Sequence, residues 1–194
     1  MTALAAGMVR VEAQEPTTGA PRAAVVEIVD LTCSRCAGFA SSVARIADVI
    51  RRDGGVFRVA PVGPVSGTMP KTPLLAVHAL NHDAGDRAGQ DAAAALYEGF
   101  QSGAMLDSRE GLLSWLRLRG VTAADALPMD LMPDNADRFA RAVALARSAG
   151  ISELPALVFV RRDDGSLAGA FEWQGSAAKL EEAVLKRWDE LKKP

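Results

Sequence analysis

The feature that most restricts how this chain can fold is the run Ala23-Ala24-Val25-Val26-Glu27-Ile28-Val29-Asp30. It leads through Leu31 and Thr32 directly into Cys33-Ser34-Arg35-Cys36 and a helical pattern that continues to about Arg51. A short apolar, β-branched run reads as a buried strand, whereas apolar residues recurring every three or four positions read as a helix. Gly54-Gly55 punctuates the helix, and Val56 to Val62 reads as a second strand. Strand, helix and strand in this order predict a parallel pair joined by a right-handed crossover.

The rest of the chain divides into a helical block and a second strand-rich segment. Gly63 to Pro73 is rich in Pro and Gly and reads as a loop, and helical patterns then dominate from about Thr72 to Ala149. Asp107 with Glu110 suits a capping box for a helix carrying Leu112, Leu113, Trp115 and Leu116, with Gly120 as its stop. Asp134 suits the cap of a further helix that ends at Gly150. Strand character returns at Ala156–Arg161 and Ser166–Trp173 around the turn signal Asp163-Asp164-Gly165, and an amphipathic helix spans about Ser176 to Leu191. The expected order is βαβ, a helical block, then ββα: an α/β domain over 23–63 and 150–192, split by an all-helical insertion over 64–149.

Composition removes several function classes. The chain has 194 residues, 49% hydrophobic and 24% charged, enough to bury a core without a disulfide scaffold. Its 22 Lys+Arg against 24 Asp+Glu give a net charge of -2, with no basic patch to suggest a nucleic-acid partner. No apolar stretch is long enough to span a bilayer. Residues 1–22 read as a tail and linker, in which Val11-Glu12-Ala13 resembles the small-x-small site that ends a secretory signal, with Gln14 as the mature start. The patch before it is short, lacks a basic flank and is interrupted by Arg10, so the export reading stands beside that of a cytoplasmic tail.

The chemistry concentrates in Cys33 and Cys36, the only cysteines. A C-x-x-C at a strand-to-helix junction is the context of a redox dithiol. Cys33 falls where unpaired helix N–H groups and the helix dipole favour an anion, and Arg35 adds positive charge, so Cys33 is the expected attacking thiolate. Cys36, one turn into the helix, is the expected buried, resolving thiol. The plainer alternative is a pair of small buried hydrophobes. A Cys₂His₂ metal set with His78 and His82 is formally available, but 41 residues separate Cys36 from His78, and no metal or other cofactor is expected. Met69, Met105, Met129 and Met132 suit an adaptable peptide groove, although such residues more commonly fill cores and loops.

Val26 through Cys36, taken with Glu153-Leu154-Pro155-Ala156-Leu157-Val158-Phe159, resembles the active-site strand, helix start and proline segment of the DsbA-like branch of thioredoxin-fold proteins. The helical block falls where that family carries its insertion, with Leu96–Gln101 and Leu116–Val121 resembling its helices, so the likeness covers roughly residues 22–192. It implies a thioredoxin-like fold and a thiol:disulfide oxidoreductase that oxidises cysteine pairs of exported substrate proteins. A membrane-bound partner would reoxidise it, the protein would be monomeric, and the compartment would be the periplasm.

By the same resemblance, Pro155 is a cis-proline facing the dithiol, Leu154 offers its backbone to substrate, and Glu27 is the acidic residue beneath the site. A carboxyl buried in a strand is costly and has its pKa raised, which suits a proton relay to Cys36. A trans proline at a strand start and a solvent-facing glutamate are the plainer readings. Ser34 and Arg35 depart from the proline and histidine common between the family's cysteines, and both are expected to tune the site. The family's buried basic partner is not clearly matched, Arg58 being the nearest candidate. A reductase or isomerase on the same fold and a non-enzymatic binding module remain the alternatives. Isomerases of this kind usually carry a dimerisation domain, for which 22 residues are too few.

Overall fold

The computed structural model describes residues 23–63, 71–131, 134–173 and 175–192. The tail and the signal-like segment therefore lie outside the described residues, as do Met69 and Met132.

A four-stranded sheet organises the chain in the order β2-β1-β3-β4. Its strands are β1 (Ala23–Val29), β2 (Val56–Pro61), β3 (Ala156–Arg161) and β4 (Leu167–Glu172). β1 lies between neighbours, parallel to β2 and antiparallel to β3. Every residue of β1 is buried, which explains why it is apolar at every position but Glu27, where a half-exposed strand would alternate. β3 and β4 form the hairpin expected around Asp163-Asp164-Gly165, with Gly165 at φ +71° in the region that favours glycine.

Helix α1 (Ser34–Arg52) carries Cys36, Phe39, Val43, Ile46, Ala47 and Ile50 on its buried face. It packs beside α6 (Ala177–Leu191), which buries Leu180, Val184 and Trp188 at a four-residue spacing and is capped by Ser176. Arg45 holds Glu181 through two hydrogen bonds, and the Trp188 indole N–H donates to Asp53 at 2.9 Å.

The helical block comprises α2 (Lys71–Asp83), α3 (Asp86–Ser102), α4 (Arg109–Leu118), a 3₁₀ turn (Thr122–Ala126) and α5 (Asp134–Ser148). It is tied to the sheet edge by side chains of α2: Asn81 Nδ2 donates to Val59 O at 2.7 Å, and His78 Nε2 bonds Pro61 O at 3.0 Å. These contacts occupy carbonyls of edge strand β2 that would otherwise be open to another strand.

The structure corrects several local expectations. Helix α2 begins at Lys71, so Thr72 and Pro73 belong to its first turn; proline is tolerated there because the first N–H groups have no intrahelical partner. The cap of α4 is Ser108, whose hydroxyl accepts from Gly111 N at 3.1 Å, one residue beyond Asp107. Asp134 lies inside the first turn of α5. Met105 and Met129, at 85% and 84% exposure, fill no core.

Candidate active site

The dithiol is placed by a tight turn between β1 and α1. Asp30 Oδ1 accepts from both the N–H and the hydroxyl of Thr32 at 2.8 Å, and Cys33 N donates to Asp30 O at 3.1 Å. Cys33 is thereby the N-cap of α1, and its sulfur accepts the N–H of Cys36 at 3.5 Å. A sulfur in that position faces the open end of the helix, where an anion is favoured. Cys33 is partly exposed, whereas Cys36 is sealed at 0% exposure, and both are free thiols. Burial pushes the Cys36 thiol well above the ordinary range, reinforced by the nearby charges of Cys33 and Glu27. The two sulfurs are therefore unequal in access.

Glu27 is one of the most enclosed polar groups in the sheet. It sits mid-strand between Val59 of β2 and Leu157 of β3, 1% exposed, and burial alone pushes its carboxyl up to about 8. Its Oε1 has no hydrogen-bond partner. The solvent-facing reading of Glu27 is thus excluded. Arg58 does not serve it: the neighbouring register position sends Arg58 to the other sheet face, where its Nε donates to Asp86 at 2.7 Å.

The Leu154–Pro155 peptide is cis. It lies at the start of β3, and because Ile28 pairs with Ala156 it shares a sheet end with the β1–α1 turn. Arg35 joins the two segments through a 2.7 Å ion pair to Glu153, while the Glu172 carboxylate of β4 accepts the backbone N–H groups of Ser152 and Glu153. Leu154 is buried at 7%, and Ser34 and Arg35 are exposed. The structure therefore brings Cys33, Cys36, Arg35, Leu154 and Pro155 to one end of the sheet, with Glu27 two residues inside it on β1.

His78 and His82 are not brought together with them. His78 is buried against Pro61 O and the Phe139 ring, and burial lowers its pKa to about 4; His82 meets Asp83 at the surface. No cluster of three or more His, Cys, Asp or Glu suited to a metal occurs among the described residues.

Sequence reasoning missed Glu153, Glu172 and Tyr97. The first two lie in a hairpin and its approach, where only the three-dimensional pairing of β3 with β4 puts Glu172 beside residue 153. Tyr97 belongs to α3 and is buried at 4% with its hydroxyl unpartnered; the lone tyrosine in an alanine-rich helix was the available signal.

Solved structures share this fold. Reduced DsbA1 from Neisseria meningitidis superposes with a TM-score of 0.62 at 16% identity, over 91% of this chain and 88% of its own. The cytosolic disulfide reductase DsbM from Pseudomonas aeruginosa gives 0.61 at 17%, over 86% and 99%. This chain has the DsbA-type thioredoxin fold. The oxidoreductase DsbA from Xylella fastidiosa, at 20% identity and a TM-score of 0.56 over 90% of both chains, has the same fold. No protein-family model and no curated protein matches the chain by sequence. Within the DsbA-type fold, the helical insertion is the block from α2 to α5, and the dithiol sits at the N-terminus of the first helix.

Proposed function

We propose that the protein carries out thiol–disulfide exchange, oxidising cysteine pairs of exported proteins through the Cys33–Cys36 couple. The observation that carries this reading is the division of labour between the sulfurs: Cys33 is reachable and caps a helix, and Cys36 is shut beneath it. A substrate thiolate attacks Cys33 Sγ of the disulfide form, the Cys33–Cys36 bond breaks, and a Cys33–substrate bond forms. Cys36 departs as a thiolate that takes a proton. Its raised pKa makes it a strong base, and in this reading the Glu27 carboxyl, protonated up to about pH 8, supplies that proton. A second substrate thiolate then attacks the substrate sulfur of the mixed disulfide and releases Cys33. Two electrons pass from substrate to the dithiol.

In this reading the backbone at Leu154, next to cis-Pro155, pairs with the substrate chain as an added strand, with Ser34 and Arg35 tuning the site. A membrane-bound partner reoxidises the dithiol, and the protein works as a monomer in the periplasm. The domain formed by 23–63 and 150–192 carries the chemistry, and the helical insertion at 64–149 splits it.

A reductase on the same fold is the second reading, favoured by the likeness to a protein described as a cytosolic disulfide reductase. The redox equilibrium of Cys33 and Cys36 in glutathione buffers, read by thiol-tagging mass shift, separates the two. A potential well above the glutathione poise supports the oxidase; one near or below the thioredoxin range overturns the oxidase and its periplasmic setting. C33S should abolish oxidation of a dithiol peptide, and wild-type turnover by that variant would reject exchange chemistry altogether, leaving a binding module.

A further inference from the structure

The turn that delivers Cys33 to its helix depends on a side chain that takes no part in the exchange itself. Asp30 closes the loop between β1 and α1 twice. Its main-chain carbonyl accepts the N–H of Cys33 at 3.1 Å, as in a four-residue turn that opens on aspartate. Its carboxylate Oδ1 accepts both the N–H and the hydroxyl of Thr32 at 2.8 Å, the arrangement in which an aspartate side chain holds the backbone two residues on. Cys33 follows at once, extended at φ -77° and ψ 119°. That conformation makes it the N-cap of α1 and turns its sulfur to the N–H of Cys36, 3.5 Å away.

The surroundings of Thr32 show what the carboxylate does. Asp30 and Leu31 are buried, whereas Thr32 is exposed. Without the carboxylate the Thr32 donors would face solvent, no buried donor would be left unpaired, and Leu31 would still anchor the turn, so the fold loses little. What is released is the backbone immediately before Cys33, and with it the aim of the sulfur at the helix end. The Asp30 main chain bears on the second sulfur as well: burial raises the Cys36 thiol most, and a backbone contact from Asp30 opposes it.

We propose that Asp30 is a positioning residue of the dithiol, its carboxylate fixing Thr32 so that Cys33 Sγ stays at the N-terminus of α1 and the disulfide form remains a strong oxidant. Asp30 touches no substrate; it acts through the backbone of Cys33. A sulfur held at the helix N-terminus is favoured as an anion, which makes the reduced form easier to reach. The proposal rests on the reading of Cys33 and Cys36 as the exchange couple and adds the residue that sets its poise.

The test is the equilibrium of the full chain with glutathione, in which the protein disulfide and two glutathione thiols give the protein dithiol and glutathione disulfide, read by thiol-tagging mass shift. D30N and D30A both remove the carboxylate charge, but the amide oxygen of D30N still accepts from Thr32, so their difference reads the acceptor alone. D30A should be about twofold to fivefold less oxidising than D30N, the size of the interaction between a charge and a helix end. T32V should fall below T32S, which keeps the hydroxyl, in the same sense, and this pair decides the matter if D30A does not fold. A merely structural bond would lower the urea midpoint of D30A and leave its glutathione equilibrium equal to that of D30N; that result overturns the proposal, as does T32V equal to T32S. Wild-type protein that does not exchange with glutathione overturns the exchange reading and the role of Asp30 together, whereas exchange with D30A and D30N coincident removes the role of Asp30 alone.

Discussion

Arg35 and Glu153 form a 2.7 Å ion pair that spans the mouth of the site, from the first turn of α1 to the segment that leads into Pro155. Both side chains are about half exposed, so the pair adds little to stability. Its consequence is directional. Arg35 also lies near enough to Cys33 for opposite charges to attract, and the Glu153 carboxylate draws its charge away from the sulfur.

E153Q should free Arg35 for the Cys33 thiolate. A stabilised thiolate makes the dithiol easier to reach and the disulfide a stronger oxidant. The expected change is modest, roughly two- to fivefold in the equilibrium with glutathione, because solvent screens a pair this exposed. R35Q should move the same equilibrium the opposite way. Thiol-tagging across a series of glutathione ratios reads both, and a shift of like sign in the two variants would refute the arrangement.

Glu27 and His78 give the fold a defined pH dependence. Glu27 holds its proton to about 8 when folded and only to 4.5 when unfolded, so the folded state binds the extra proton and stability falls with rising pH across that window. His78, neutral and lowered to about 4 by burial against an ordinary 6.5, contributes stability that is present above 6.5 and lost as pH falls through 4. The two slopes oppose each other between 4.5 and 6.5, where these groups leave stability nearly flat, and Glu27 alone acts from 6.5 to 8. E27Q should remove the alkaline decline and, at pH 8.5, unfold at higher urea by an amount worth on the order of a few kcal/mol. Urea midpoints at pH 5, 6.5 and 8.5 decide it: an E27Q curve parallel to wild type contradicts the burial argument.

How much of this was readable in advance follows from which interactions are local. β1 and its full burial, the dithiol at the helix start and the β3–β4 turn are encoded by neighbours in sequence, through periodicity and turn chemistry. The burial of Glu27 was foreshadowed by the apolar residues on both sides of it. Non-local partners were invisible: nothing in the spacing couples Glu172 to Ser152 and Glu153. Arg58 failed as the partner of Glu27 for a simple reason, since adjacent register positions on paired strands face opposite sides of the sheet. The α4 cap moved by one residue because Ser108 and Asp107 are both competent and only backbone geometry chooses between them.

Gly89 is where the insertion closes on itself. A Cβ built there would lie 2.1 Å from Asn81 Oδ1, the side chain whose amide N–H ties α2 to Val59 of the sheet edge. G89A on an open helix surface would stabilise by improved propensity. Here it must displace Asn81 and break that tie, and a loss of about 1–3 kcal/mol in urea unfolding is expected. G38A, in a helix with open space around the added methyl, is the control and should be neutral or stabilising.

The last prediction separates peptide binding from redox chemistry. Glu172 is the one side chain that holds the segment before Pro155 from β4, accepting from the N–H groups of Ser152 and Glu153 and from the Ser152 hydroxyl at 3.2 Å. E172Q keeps the size and one acceptor oxygen but loses the charge that strengthens these bonds. The loop that offers Leu154 to substrate should loosen while Cys33, Cys36 and Glu27 stay as they are. The expected signature is a rise of about threefold to tenfold in KM for a dithiol peptide, with kcat and the glutathione equilibrium nearly unchanged, as for a lost interaction that serves ground state and transition state alike. A fall in kcat at constant KM would instead place Glu172 in the exchange step itself, and the strand-addition role of Leu154 would have to be abandoned.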